Sequence, residues 1–173
     1  MIDTEPAPVS TVIGHRGAAG HAPENTLASL ETAAGLGVRW VEFDTKLTAD
    51  GQVVVFHDDD LDRTTDGHGQ ISRNTLASLE NLDAGDWYGP AFAGQRVLTL
   101  REMFDVLAEH KLGANIEIKP SPGRETESGH AVASLVRRHW PKALPPPVIS
   151  SFKPQSLEAA RSDAPEIERA LLF

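Results

Sequence analysis

Residues 40–57 read WVEFDTKLTADGQVVVFH, two runs of apolar and β-branched residues separated by Asp50-Gly51. Both runs are typical of β-strands, and Asp-Gly is a strong signal for a two-residue hairpin loop. Side chains alternate along a strand, so Glu42 and Asp44 are predicted to leave the same face. If the loop has two residues, His57 lies opposite Asp44, whereas a shift of one residue turns His57 to the other face.

The rest of the chain alternates between short apolar runs and segments of helical period. We predict strands over residues 11–15, 40–45, 53–57, 115–119, 148–151 and 168–173, and helices over residues 26–36, 75–79, 99–112, 127–140 and 154–162. Thr99 and Glu102 form a capping-box pattern at the start of one helix, and Gly113 is predicted to end it. The strand-then-helix order favours a parallel α/β sheet, open or closed into a barrel. We take residues 1–173 as one domain with a polar excursion at 58–94.

Composition excludes several classes of function. The 173 residues carry 16 basic and 25 acidic side chains, a formal charge of −9, which disfavours nucleic acid as a partner. Met1–Ser10 contains acids and prolines rather than a basic and then an apolar segment, so we do not expect a secretory signal. No stretch is apolar enough for a membrane anchor, and cysteine is absent, as in many proteins of reducing compartments. The sequence therefore predicts a cytoplasmic protein.

Polar side chains capable of chemistry occur where four predicted strands end. They are His15-Arg16-Gly17, Glu42 with Asp44, His57-Asp58, and Glu117 with Lys119. Ligands bind at the carboxyl ends of strands in parallel α/β proteins. Three carboxylates without cysteine suit Mg²⁺ or Ca²⁺ better than a thiophilic metal.

The acidic run Asp58–Asp62 resembles the start of an EF-hand loop. The pattern fails, because Arg63 occupies the sixth position, where glycine is needed, and Gly69 occupies the twelfth, where glutamate is needed. We interpret this run as a solvated loop.

Four segments together resemble the glycerophosphodiester phosphodiesterase family, within the phospholipase C-like phosphodiesterases. They are IGHRGAAGHAPENTLAS at residues 13–29, VEFDTKLTADGQVVVFHDDDLDRTTDGHG at 41–69, NIEIK at 115–119 and, more weakly, VISSFKPQSLEAAR at 148–161. The resemblance implies a TIM (β/α)8-type barrel with a small excursion after the second strand, near the barrel mouth. It also implies a small-molecule glycerophosphodiester as substrate, with glycerol 3-phosphate and an alcohol as products.

The resemblance further implies roles for seven residues. It implies one divalent cation, Mg²⁺ or Ca²⁺, held by the carboxylates Glu42, Asp44 and Glu117. It implies general acid–base catalysis by the imidazoles of His15 and His57, and contacts to the phosphate from the cations Arg16 and Lys119. The resemblance does not decide which histidine is the acid and which is the base. It also stays open whether water attacks directly or the glycerol 2-hydroxyl first gives a cyclic phosphate.

The length of the chain leaves alternatives open. A complete TIM barrel has about 250 residues, whereas this chain has 173, and its last apolar run, Glu168–Phe173, has no helix after it. We therefore expect a barrel that is incomplete at its C-terminus, and a homo-oligomer that completes it is one option. One alternative function is an inactive incomplete barrel, either a fragment or a binding module. The other is a lysophospholipase D-like phosphodiesterase.

Overall fold

The computed structural model describes residues 9–173, whose strands form one six-stranded sheet. The first eight residues of the N-terminal segment, which we predict not to be a secretory signal, lie outside the described residues. The strands are β1 Ile13–His15, β2 Trp40–Leu47, β3 Val53–Val55, β4 Gly113–Ile118, β5 Val148–Ser151 and β6 Glu168–Leu171. The helices are α1 Leu27–Gly35, α2 Leu76–Leu79, α3 Leu100–His110, α4 Glu125–His139 and α5 Pro154–Asp163.

The sheet has the strand order of a β/α barrel. Its parallel strands lie in the order β1-β2-β4-β5-β6, which is also their order along the chain, and β3 pairs antiparallel with β2. Because the order never reverses, right-handed crossovers place the helices on one face. There α1, α3, α4 and α5 pack in series. The predicted α/β sheet of barrel type is confirmed, and over residues 9–173 it is open, since β1 and β6 do not pair.

The two faces of the sheet differ in chemistry. The outer face contributes Val41, Phe43 and Ile116 to the main apolar core, which the helices cover. Helix α3 buries its predicted stripe in this core, Leu100, Met103, Phe104 and Leu107. The predicted capping box is confirmed, because Glu102 N donates to Thr99 Oγ1 at 3.1 Å and Thr99 N donates to Glu102 Oε2 at 2.8 Å. The inner face of the sheet carries polar side chains.

The predicted end of α3 at Gly113 is wrong. The helix ends at His110, and Lys111 adopts the left-handed conformation, with φ 55°, in place of a glycine. Gly113 instead opens β4 beside Trp40 of β2, its register neighbour. A Cβ atom on Gly113 would lie 2.5 Å from Trp40 Cε2, so the glycine is required by the indole ring.

We expect Gly113→Ala to lower the free energy of unfolding by about 1–3 kcal/mol, because the buried Trp40 ring must move to admit the methyl group. Gly35→Ala is the control, since its added Cβ meets nothing within 4 Å and alanine favours a helix. Urea denaturation measures both. Equal midpoints for the two variants would contradict the packing of Trp40 on Gly113.

The excursion between β3 and α3 has an apolar centre of its own. Its residues, with two from the β3 region, form a small cluster, Val54, Phe56, Leu61, Ile71, Leu79, Ala84 and Val97. Helix α2 and the 3₁₀ turn Ile71–Arg73 contribute to this cluster, and a second 3₁₀ turn, Pro90–Phe92, lies further along the excursion. The excursion is therefore a packed unit against which the residues after β3 are fixed. Within residues 9–173, no helix combines the length and apolarity needed to cross a membrane.

Candidate active site

Three carboxylates meet on the inner face of the sheet, those of Glu42 and Asp44 from β2 and of Glu117 from β4. Asp44 and Glu117 are register neighbours on adjacent strands, and Glu42 lies two residues before Asp44 on the same face, as predicted. One carboxylate oxygen from each residue lies within 4.8 Å of the other two. Each residue is at most 8% exposed, so three acidic groups share one buried site.

The site has the properties expected of a cation-binding centre. Burial, and after it the charge of Asp44, raises the pKa of Glu42 from 4.5 to about 8. Glu42 Oε1 is buried without a hydrogen-bond partner. Grouping buried carboxylates is costly unless a positive charge lies between them. A donor set made of oxygens alone fits a hard divalent cation such as Mg²⁺ or Ca²⁺.

Without metal, we expect the free energy of unfolding to fall between about pH 5 and pH 8. Over this range folded Glu42 retains a proton that the unfolded chain releases, so raising the pH favours unfolding, by on the order of 3–5 kcal/mol. Chemical denaturation with chelator present measures this fall. Glu42→Gln is the control, because it should lack the share of the fall that comes from Glu42. An identical pH dependence in wild type and Glu42→Gln would contradict the raised pKa.

Two cationic side chains adjoin the carboxylates. Arg16 Nε lies 3.3 Å from Asp44 Oδ2, and the Arg16 backbone N donates to Glu42 Oε2 at 3.0 Å. From the other side, Lys119 Nζ lies 3.3 Å from Glu117 Oε1 and 4.0 Å from Asp44 Oδ1. The structure thus brings both predicted phosphate-binding residues to the predicted metal ligands. A guanidinium and an ammonium group there provide positive charge for an anionic ligand.

The loop after β1 holds Arg16 in an unusual backbone conformation. Arg16 has φ 52° and is followed by Gly17 with φ 81°. Gly17 N donates to Glu42 O at 3.2 Å, and a Cβ on Gly17 would lie 2.4 Å from Ser29 Oγ at the start of α1. This close approach explains the glycine, and the hydrogen bond fixes the loop against Glu42 of β2.

The two histidines reach the site from different segments of the chain. His15, the last residue of β1, has Nε2 3.7 Å from Glu42 Oε2 and a side chain that is 70% exposed. His57 lies beyond β3 and lines a cavity of about 460 Å³ together with Glu117 and Lys119. His57 Nδ1 lies 2.5 Å from Asp58 Oδ1.

The predicted hairpin register is wrong by one residue. The structure pairs Thr45 with Val55 and Leu47 with Val53, and Phe56 N donates to Asp44 O. Asp44 is therefore opposite Phe56 rather than His57. His57 still reaches the cavity because β3 ends at Val55 and the chain leaves the sheet there.

Sequence reasoning missed Lys46 and misjudged Asp58 of the acidic run. Lys46 lies on the same face of β2 as the two acids and is 3% exposed; its Nζ donates to Asp59 Oδ1 at 2.6 Å and to Lys119 O at 3.2 Å. The interpretation of the run as a solvated loop is wrong for Asp58, whose side chain is only 25% exposed and contacts His57. Asp59 is exposed, as predicted, but pairs with the buried Lys46. Strand alternation could have identified Lys46, four residues after Glu42.

Three further residues carried no local signal. Asn25 has φ 60°; its Nδ2 donates to Asp44 Oδ2 at 2.9 Å, and Asp44 N donates to Asn25 Oδ1 at 3.3 Å. Glu24 and Arg63 form an ion pair although 39 positions separate them. Their partners are distant in sequence, so no periodicity indicates them.

Comparison with known proteins places this site in a family. The sequence profile of the glycerophosphoryl diester phosphodiesterase family matches residues 15–173. A glycerophosphodiester phosphodiesterase of Caldanaerobacter subterraneus is 37% identical over 166 residues, and one of Bacillus subtilis is 34% identical over 177 residues. These matches cover 94% and 93% of this chain, but 66% and 58% of the two relatives.

Solved structures agree with the sequence matches. A phosphodiesterase of Oleispira antarctica in complex with the product sn-glycerol 3-phosphate has a TM-score of 0.89 and 45% identity. A glycerophosphodiester phosphodiesterase of Agrobacterium tumefaciens has a TM-score of 0.80 and 33% identity. Each match covers 93% of this chain, and 65% and 66% of the other chain respectively, so this chain spans just under two thirds of each solved structure. Because the family profile extends from His15 to Phe173, the chain belongs to the glycerophosphoryl diester phosphodiesterase family.

Proposed function

We propose that the chain hydrolyses a glycerophosphodiester to glycerol 3-phosphate and an alcohol, with one divalent cation, Mg²⁺ or Ca²⁺. The observation that carries this proposal is the grouping of three buried carboxylates from the parallel strands β2 and β4 with Arg16 and Lys119, which follow β1 and β4. The substrate class is supported by the Oleispira phosphodiesterase, whose structure contains sn-glycerol 3-phosphate as product.

The proposed metal ligands are the three carboxylates, Glu42, Asp44 and Glu117. When bound, the cation would supply positive charge to the phosphoryl oxygens. Arg16 offers a planar fork that matches two phosphate oxygens, and Lys119 offers a compact ammonium group. Both groups would offset the negative charge of the phosphodiester and the charge that develops during attack.

The two imidazoles would move the protons. A neutral imidazole accepts a proton and an imidazolium donates one near neutral pH, which suits both halves of the reaction. Asp58 engages Nδ1 of His57, so Nε2 is the nitrogen left to exchange a proton with the substrate. One histidine would accept the proton of the nucleophile, and the other would protonate the leaving alkoxide oxygen.

A substrate panel tests the reaction. The 173-residue chain would be incubated with glycerophosphocholine, glycerophosphoethanolamine and lysophosphatidylcholine in Mg²⁺ or Ca²⁺, with glycerol 3-phosphate, cyclic phosphate and lysophosphatidate measured. We expect glycerol 3-phosphate from the first two substrates and little turnover of the third. A transient cyclic phosphate would assign the first attack to the glycerol 2-hydroxyl.

Two outcomes would support the alternative functions instead. Preferred release of lysophosphatidate would indicate a lysophospholipase D-like phosphodiesterase. Metal binding in calorimetry without any turnover would indicate an inactive member of the family that retains its metal site. Cytoplasmic location and a homo-oligomer stay predictions, and the proposed reaction depends on neither.

A further inference from the structure

Arg63 joins two carboxylates from separate parts of the chain. Its Nε donates to Asp58 Oδ2 at 2.6 Å and its Nη2 to Asp58 Oδ1 at 3.0 Å. The same guanidinium donates from Nη1 to Glu24 Oε2 at 2.9 Å and from Nη2 to Glu24 Oε1 at 2.7 Å. Asp58 follows β3, whereas Glu24 belongs to the loop between β1 and α1. A two-pronged contact to each of two carboxylates fixes their relative orientation.

Each of these carboxylates also holds a residue of the proposed site. Asp58 Oδ1 lies 2.5 Å from His57 Nδ1, and Arg16 Nη1 donates to Glu24 Oε1 at 2.8 Å. A continuous series of contacts therefore runs from His57 through Asp58, Arg63 and Glu24 to Arg16. One end is a proposed acid–base group, and the other is a proposed phosphate-binding group.

Charge and position agree with a supporting role for Arg63. Hydrogen bonds from Arg63 hold the pKa of Asp58 well below its usual range. Burial acts to raise the pKa of Glu24, but Arg63 and Arg16 outweigh it and lower that pKa. Both carboxylates therefore stay ionised near neutral pH and accept hydrogen bonds. Arg63 lies over the ring of Trp87, 6.0 Å from its centroid, and is not among the residues that line the cavity.

We propose that Arg63 is a positioning residue that aligns His57 and Arg16 by binding Asp58 and Glu24 together. This inference rests on the proposed function. Arg63 touches no substrate and exchanges no proton; it fixes the two carboxylates that orient the groups that do. An ion pair that only attached the excursion to the sheet would affect stability and leave the kinetic constants unchanged.

The kinetic test compares Arg63→Met with variants of each carboxylate. Asp58→Asn is expected to lower kcat chiefly, since His57 loses its partner, and Glu24→Gln to raise KM chiefly, since Arg16 loses its partner. Arg63→Met is expected to do both, with kcat/KM lower by about 10- to 100-fold. Arg63→Lys keeps the charge but not the fork, so it should restore only part of the loss. Arg161→Met is the matched control, because Arg161 forms an exposed pair with Glu158 on α5.

A second measurement needs no turnover and therefore separates this inference from the proposed function. The ¹⁵N and ¹H signals of the His57 ring report whether Nδ1 carries a proton in slow exchange with water. We expect that signal in the wild type and its loss through exchange in Arg63→Met. If the wild type releases no glycerol 3-phosphate, the proposed function fails and this signal still decides the inference. An unchanged signal, or kcat and KM within twofold of wild type in folded Arg63→Met, would overturn it.

Discussion

His57→Ala is expected to lower kcat by about 10²- to 10⁴-fold, the usual contribution of general acid–base catalysis. The imidazole lines the cavity with Glu117 and Lys119, and Asp58 fixes its ring through Nδ1. Alanine removes the proposed proton-transferring group and leaves the carboxylates in place. His15→Ala should cause a loss of similar size, since His15 is the other proposed proton carrier, beside Glu42.

The chain offers a matched control for His57. His68 belongs to the same excursion and also contacts an aspartate, with Nδ1 2.9 Å from Asp62 Oδ1, but its side chain is 84% exposed and does not line the cavity. His68→Ala should retain wild-type kcat. Near-normal kcat in His57→Ala or in His15→Ala would remove that histidine from the mechanism.

Glu117→Gln and Asp44→Asn are expected to raise the metal concentration for half-maximal activity by more than about tenfold. Each replaces a charged oxygen of a proposed ligand by a weaker neutral one, and even residues that only orient ligands typically contribute about 10- to 100-fold to metal affinity. Isothermal titration calorimetry with Mg²⁺ and Ca²⁺ measures affinity without relying on turnover. Glu109→Gln, on the exposed side of α3, is the control and should bind metal like the wild type. Unchanged metal affinity in Glu117→Gln would exclude Glu117 as a ligand.

The sequence predicted the elements whose signals are local. The shared face of Glu42 and Asp44 follows from strand alternation, and the start of α3 follows from the capping pair Thr99 and Glu102. The strand-then-helix order predicted a parallel sheet. Within it, Glu117 reached the same face because β4 pairs in parallel with β2. These features depend on neighbouring residues or on a repeated order of elements.

The hairpin register could not be predicted, because Asp50-Gly51 fits two loop lengths. In the structure Thr48 N donates to Gln52 O, and Gly51, with φ 75°, is the last residue of a three-residue loop. Asp50 Oδ1 accepts hydrogen bonds from Thr48 Oγ1 at 2.6 Å and from Leu76 N at 3.1 Å. The contact with Leu76 comes from the excursion, which no pattern within residues 40–57 reveals.

The supporting ion pairs of the site were also beyond sequence reasoning. Arg63 meets Glu24, and Lys46 meets Asp59, only after the excursion folds back over the end of the sheet. A run of aspartates is usually solvated, and the partners of Asp58 and Asp59 became evident only from the folded chain. Long-range pairing of this kind depends on tertiary packing rather than on propensity.

The most direct test of the account is the release of glycerol 3-phosphate from glycerophosphocholine by the 173-residue chain, first with chelator and then with Mg²⁺ or Ca²⁺ restored. The account predicts that release stops when the metal is removed from Glu42, Asp44 and Glu117 and resumes when it is returned. Release that continues undiminished in the metal-free chain would contradict it.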